Sequence, residues 1–152
     1  MTMAKNQGKG AKGKGGSARP AKGDPRPEHW KEEPDAHDYP AAHDFLTLVV
    51  AEPLATNLID ALQDAPLVHR KAKDLLRASA LPALPENNVH VAKDLEKVHK
   101  GERLSPVLLV RGDASVGAPL VIADGYHRIC ASHQIDEDAD IPCRLVGLPH
   151  AT

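Results

Sequence analysis

The run Pro119-Leu120-Val121-Ile122-Ala123-Asp124-Gly125, followed at once by an amphipathic stretch, constrains the chain more than any other feature. A short apolar run bounded by proline and glycine reads as a strand, and Tyr126, Ile129, Cys130 and His133 then fall at the i, i+3, i+4, i+7 spacing of one helix face. A strand that turns into a helix through so few residues forces the helix back onto the sheet that contains the strand. It also sets the first turn of the helix, with its unpaired backbone N–H groups, beside Asp124, Gly125, Tyr126, His127 and Arg128. Helix N-termini favour anions, and an arginine fork suits phosphate oxygens, so these five residues are the candidate phosphate-binding site. Four of them also have a plainer reading: Tyr126 as part of the packed helix face, Arg128 as the partner of a surface acid, Asp124 as an N-cap or turn residue, and His127 as a partly exposed imidazole with no special role.

The flanking segments supply the rest of a small α+β domain. Leu104 to Arg111, Ala118 to Ala123 and Ile141 to Val146 read as strands, the first two joined through Gly112 to Gly117. Val91, Leu95 and Val98 recur at i, i+4 and i+7 before Gly101, which predicts a helix from about Asn88 to Lys100 with a glycine stop. Upstream, residues 41–80 read as a helical extension. Phe45, Leu48 and Val49 form one short face; Leu54, Leu58, Ile59 and Leu62 follow Pro53 with helical spacing; and Leu67, Leu75 and Leu76 predict a third helix.

Composition separates the N-terminus from this body. Residues 1–26 carry seven Lys or Arg against the single acid Asp24, with no aromatic and no β-branched residue but Thr2. Such a stretch cannot bury enough apolar surface to offset the entropy of ordering, and residues 1–40 are expected to be a disordered basic tail and linker. The chain beyond residue 26 has twelve basic and twenty acidic residues, a net charge of −8, so the tail is expected either to bind nucleic acid or to fold back on its own domain. Its Gly8-Lys9-Gly10-Ala11-Lys12-Gly13-Lys14-Gly15 run lacks the strand and the final Ser or Thr of a P-loop. No apolar segment is long enough for a signal or a membrane span, and Cys130 and Cys143 match no zinc or dense disulfide spacing, so a cytoplasmic protein without a membrane partner is expected. The acidic run at 136–140 lacks the glycine and closing glutamate of a calcium loop, and the scattered histidines give no metal site.

Taken together, Leu104-Ser105-Pro106-Val107-Leu108-Leu109-Val110, Asp124-Gly125-Tyr126-His127-Arg128-Ile129-Cys130-Ala131 and Ile141-Pro142-Cys143-Arg144-Leu145-Val146 resemble the ParB/sulfiredoxin-like superfamily, over roughly residues 81–147. In that family a P-[IV]-x-V strand leads through a hairpin to a strand ending in G-x-[HR]-R, whose helix is followed by an "IP" strand. The resemblance implies a nucleotide-binding fold, with a nucleotide of the ATP or CTP type as ligand, with or without Mg²⁺; members include sulfiredoxins, partition proteins that also bind DNA, and kinases of free serine. It implies that Gly125 permits close approach of the phosphates and that His127 and Arg128 contact them. Tyr126 stands where sulfiredoxins carry their reactive cysteine, and a phenol cannot replace a thiolate nucleophile, so cysteine-based chemistry is not expected. Two functions stay open. One is nucleotide hydrolysis or phosphoryl transfer, with Glu86, Asp94 and Glu96 upstream as candidate bases; Lys93 and Lys97 stand where a second phosphate contact could arise, although solvated surface lysines are the favoured reading of both. The other is a non-catalytic, nucleic-acid-associated module of the partition-protein or ParB-like nuclease type.

Overall fold

A computed structural model describes residues 29–149, and the tail read for residues 1–26 lies outside them. Strand β4 (Asp140–Val146) pairs antiparallel with β1 (Leu67–Lys71) on one side and parallel with β2 (Val107–Val110) on the other. Antiparallel pairing of β2 with β3 (Val121–Asp124) completes a mixed sheet of order β1-β4-β2-β3. Every residue of β2 is buried because helices cover both faces of the sheet. Val107 and Leu109 face a core shared with α3 (Ala72–Ser79), α4 (Val89–His99) and α5 (Tyr126–Ile135), through Leu75, Val91 and Ile129. Leu108 and Val110 face a second core with α1 (Asp38–Leu46) and α2 (Glu52–Asp64), through Leu46, Leu58 and Leu62. The alternation of side chains along one strand thus serves two layers, in an α+β fold. No helix among the described residues is long and apolar enough to cross a membrane.

Local chemistry accounts for the elements that the sequence made plain. Helix α2 starts where Pro53 fits the first turn, and it buries Ala55, Leu58, Ile59 and Leu62. Helix α4 starts where the Asn88 side chain accepts the His90 and Val91 N–H groups at 3.0 and 3.2 Å, and the chain turns away at Gly101 with φ +80°. The acidic run after α5 is a turn, in which Asp136 accepts the Asp138 N–H at 2.8 Å and Asp138 pairs with Lys73 at 2.7 Å.

Four expectations are corrected. Residues 67–71 form a strand, because Pro66 breaks the chain's hydrogen bonding behind Leu67 and the open edge of β4 offers a full ladder. Residues 41–80 are accordingly no separate extension, since they supply an edge strand and the helices over one face of the sheet. Helix α1 buries Asp38, Ala42 and Leu46 rather than Phe45, Leu48 and Val49; the helix ends at Leu46, and Leu48 is 82% exposed. The small Ala42 lets the α1 backbone come close to β3, which the bulkier face would prevent. Finally, residues 29–40, expected to be part of an unpacked linker, join the body. Trp30 is only 4% exposed, and hydrogen bonds of 2.8 and 2.7 Å tie Lys31 and His29 to Leu104. One tryptophan supplies the apolar area that the average composition of the segment conceals.

Candidate functional site

Asp124 closes β3, and Gly125 carries the chain into α5 with φ +112°, a conformation that L side chains rarely adopt. A Cβ at Gly125 would strike the Val107 side chain, so strand β2 and helix α5 meet there only because the residue is glycine. The requirement for glycine, attributed from sequence to the approach of phosphates, is met by packing inside the protein. Among the described residues no side chain caps this terminus, and its first helical bond is from Ile129 N–H to the Gly125 carbonyl at 3.0 Å. The N–H groups of Tyr126, His127 and Arg128 are left for solvent or a ligand.

The Arg128 guanidinium points back along the first turn. It pairs with Asp124 at 3.0 Å and Asp38 at 3.7 Å, and donates to the Pro106 carbonyl at 3.4 Å. Asp38, 4% exposed, also accepts from the Ser105 hydroxyl and from the Asp35 N–H at 3.3 Å, while Ser105 accepts the same N–H at 2.9 Å. A carboxylate this buried needs a countercharge; the exposed His37 imidazole lies 3.4 Å away, and the largely buried Arg128 guanidinium is the permanent charge beside it. Asp124 is therefore an ion-pair residue and not the cap of α5, and Nη2 of Arg128 is given over to carboxylates and the Pro106 carbonyl. Burial raises the pKa of Asp124, against the lowering effect of Arg128.

In front of the turn lies a polar cleft of about 170 Å³, lined by His90, Lys93, Asp94 and by all five candidate residues at 124–128. Of the three upstream carboxylates considered as bases, Asp94 is the one on this cleft; burial raises its pKa, opposed first by Lys97, whose Nζ lies 3.9 Å away. Lys97 is thus drawn to Asp94, while Lys93 reaches the cleft with no ion pair among the described residues. The His127 ring stands 4.7 Å from that of His90 and 5.5 Å from that of Tyr126. Burial, and then the neighbouring His90, hold the His127 pKa below its ordinary value. Tyr126 is anchored, its hydroxyl donating to the Pro82 carbonyl at 2.6 Å and its ring packed on the core. Sequence reasoning missed His90, although His90, Lys93 and Asp94 follow i, i+3, i+4 and so share one face of the predicted helix.

The arrangement can hold an anion by backbone N–H groups and Lys93, and can exchange a proton at Asp94 or His127. Elsewhere, Asp35, His37 and Asp38 bring three ligand-type atoms within 4.8 Å of one another, but Asp35 is paired with Lys31 at 2.7 Å and Asp38 is engaged as described. Comparison of the chain with protein-family models, curated proteins and solved structures finds no match, and the likeness to ParB/sulfiredoxin-like proteins rests on the sequence motifs alone.

Proposed function

We propose that this protein binds a nucleotide through its phosphates, in the cleft between α4 and the start of α5. The observation that carries the reading is the pairing of an uncapped helix N-terminus with a lysine, Lys93, that faces the same cleft and has no acid of its own among the described residues. A cleft of about 170 Å³ suits a phosphate group and leaves the sugar and base outside it. Lys93, His127 and the N–H groups of residues 126–128 would hold the phosphate oxygens, and Arg128 would keep the turn in shape through Asp124 and Asp38.

Asp94 is the carboxylate available to a phosphate-bound Mg²⁺ or to a proton, and it is the residue on which hydrolysis or phosphoryl transfer would depend. Thermal melts of the full chain with ATP, CTP, pyrophosphate and inorganic phosphate, each with and without Mg²⁺, test the reading. A ligand at a hundredfold excess over Kd stabilises the folded state by about 2.7 kcal/mol. No shift with any of them at millimolar concentration overturns it.

A further inference from the structure

A second cavity lies at the other end of β2 from Gly125. It measures about 360 Å³, inside the range of roughly 300–1,000 Å³ typical of small-molecule sites, and its exposed lining is mostly apolar. Leu75 of α3, Leu109 of β2, Leu120 and Leu145 of β4 form its floor, and Arg70 and Arg111 reach it from β1 and from the residue after β2.

We infer that this cavity binds a small apolar carboxylate, with its hydrocarbon body on the four leucines and its carboxylate held by Arg70 and Arg111. The two guanidiniums form no ion pair among the described residues, whereas both acids on the rim are occupied. Asp74 accepts from Arg77 at 3.1 Å, and Asp113 is turned into its own loop, where it accepts the Ser115 N–H at 2.9 Å and hydroxyl at 2.6 Å. The cavity therefore offers two guanidiniums free of ion pairs among the described residues, with the rim acid Asp113 held by Ser115, over an apolar floor; this fits a singly charged anion with a greasy body better than a neutral lipid or a multiply charged phosphate. Its rim is preformed. A Cβ at Gly112 would collide with the backbone of Ala118 and Pro119, so the loop closes tightly on itself, and the Asp113 N–H donates to the Ala118 carbonyl at 2.8 Å. Nothing in this inference depends on the phosphate cleft, which shares no lining residue with the cavity.

Calorimetric titration of the full chain with octanoate, with 1-octanol as the neutral analogue, tests it alongside methyl NMR spectra of the leucines. The expected result is one octanoate per chain, shifts at Leu75, Leu109, Leu120 and Leu145, and binding of octanol at least tenfold weaker. The double variant Arg70→Gln, Arg111→Gln changes two exposed side chains and should bind octanoate at least tenfold more weakly with an unaltered melt. Absence of octanoate binding at millimolar concentration overturns the inference. So does equal affinity for octanol, unchanged affinity in the double variant, or shifts confined to exposed apolar residues such as Leu48.

Discussion

The Arg128 guanidinium lies 3.7 Å from the carboxylate of Asp38, joining the start of α5 to the start of α1 across the end of β3. Arg128 is 17% exposed and Asp38 4%, so the contact is one that water does little to screen. Loss of the arginine removes the ion-pair partner of Asp124 and leaves Asp38 with the exposed His37 imidazole, 3.4 Å away, as its basic neighbour. Arg128→Ala is expected to lower the unfolding free energy by about 3 kcal/mol, and Arg128→Lys by less. Urea unfolding at constant m-value measures this; a change within about 0.5 kcal/mol would show that the network contributes nothing.

Lys93 separates binding from folding, which Arg128 cannot do. Its side chain is exposed and unpaired among the described residues, so Lys93→Ala should leave the melting temperature where it was. Removing one charge-assisted contact to a phosphate should weaken nucleotide affinity about tenfold. Titration of the variant with whichever nucleotide shifts the wild-type melt supplies the comparison, and an unchanged Kd would remove Lys93 from the site.

Gly125→Ala should be costly for two independent reasons, the positive φ and the collision with Val107. We expect a loss of more than about 2 kcal/mol. The companion change Gly117→Ala, also at positive φ but with open space around its Cβ, should cost only the backbone strain, about 1 kcal/mol. Equal losses in the two variants would mean that Val107 gives way freely.

His127 makes stability depend on pH in a defined sense. Burial holds its folded pKa below the ordinary 6.5, so the unfolded chain takes up a proton there before the folded one does. The stabilising contribution is complete above 6.5 and is lost as pH falls through the folded value. Asp94 and Asp124 act in the opposite sense, because burial raises them; their contribution is complete below 3.8 and is lost as pH rises through their folded values. Melting curves of wild type and His127→Gln between pH 5 and 8 isolate the histidine, and parallel curves would exclude it.

Neither cysteine should react in the folded protein. Cys130 and Cys143 are both fully buried, and burial pushes the Cys143 thiol up to about 11. A disulfide-exchange reagent at pH 8 should label neither thiol until denaturant is added. Rapid labelling in native buffer would show that the β4 region opens on its own.

The elements legible in the sequence were those whose ends carry their own chemistry. Asn88 and Gly101 bracket α4, Pro53 opens α2, and the Asp124-Gly125 turn marks where β3 gives way to α5. Strand β1 was not legible, because Leu67 and Val68 are too few to show a period and their partner, β4, lies far along the chain. The same distance hid the commitment of Arg128. A local reading could find Asp124, four residues away on the turn, but nothing near Asp38 in the sequence points to the arginine that neutralises it.

Trp30 is the sole tryptophan of the chain, and its indole nitrogen is buried without a hydrogen-bond partner among the described residues. It sits beside Leu104, next to the Ser105 that holds Asp38 in place. The protein thus carries an intrinsic optical reporter at the root of its ion-pair network. Its emission should be blue-shifted in the native state and move to the red when residues 29–38, up to the start of α1, detach, so loosening of the turn at 124–128 can be followed without any label.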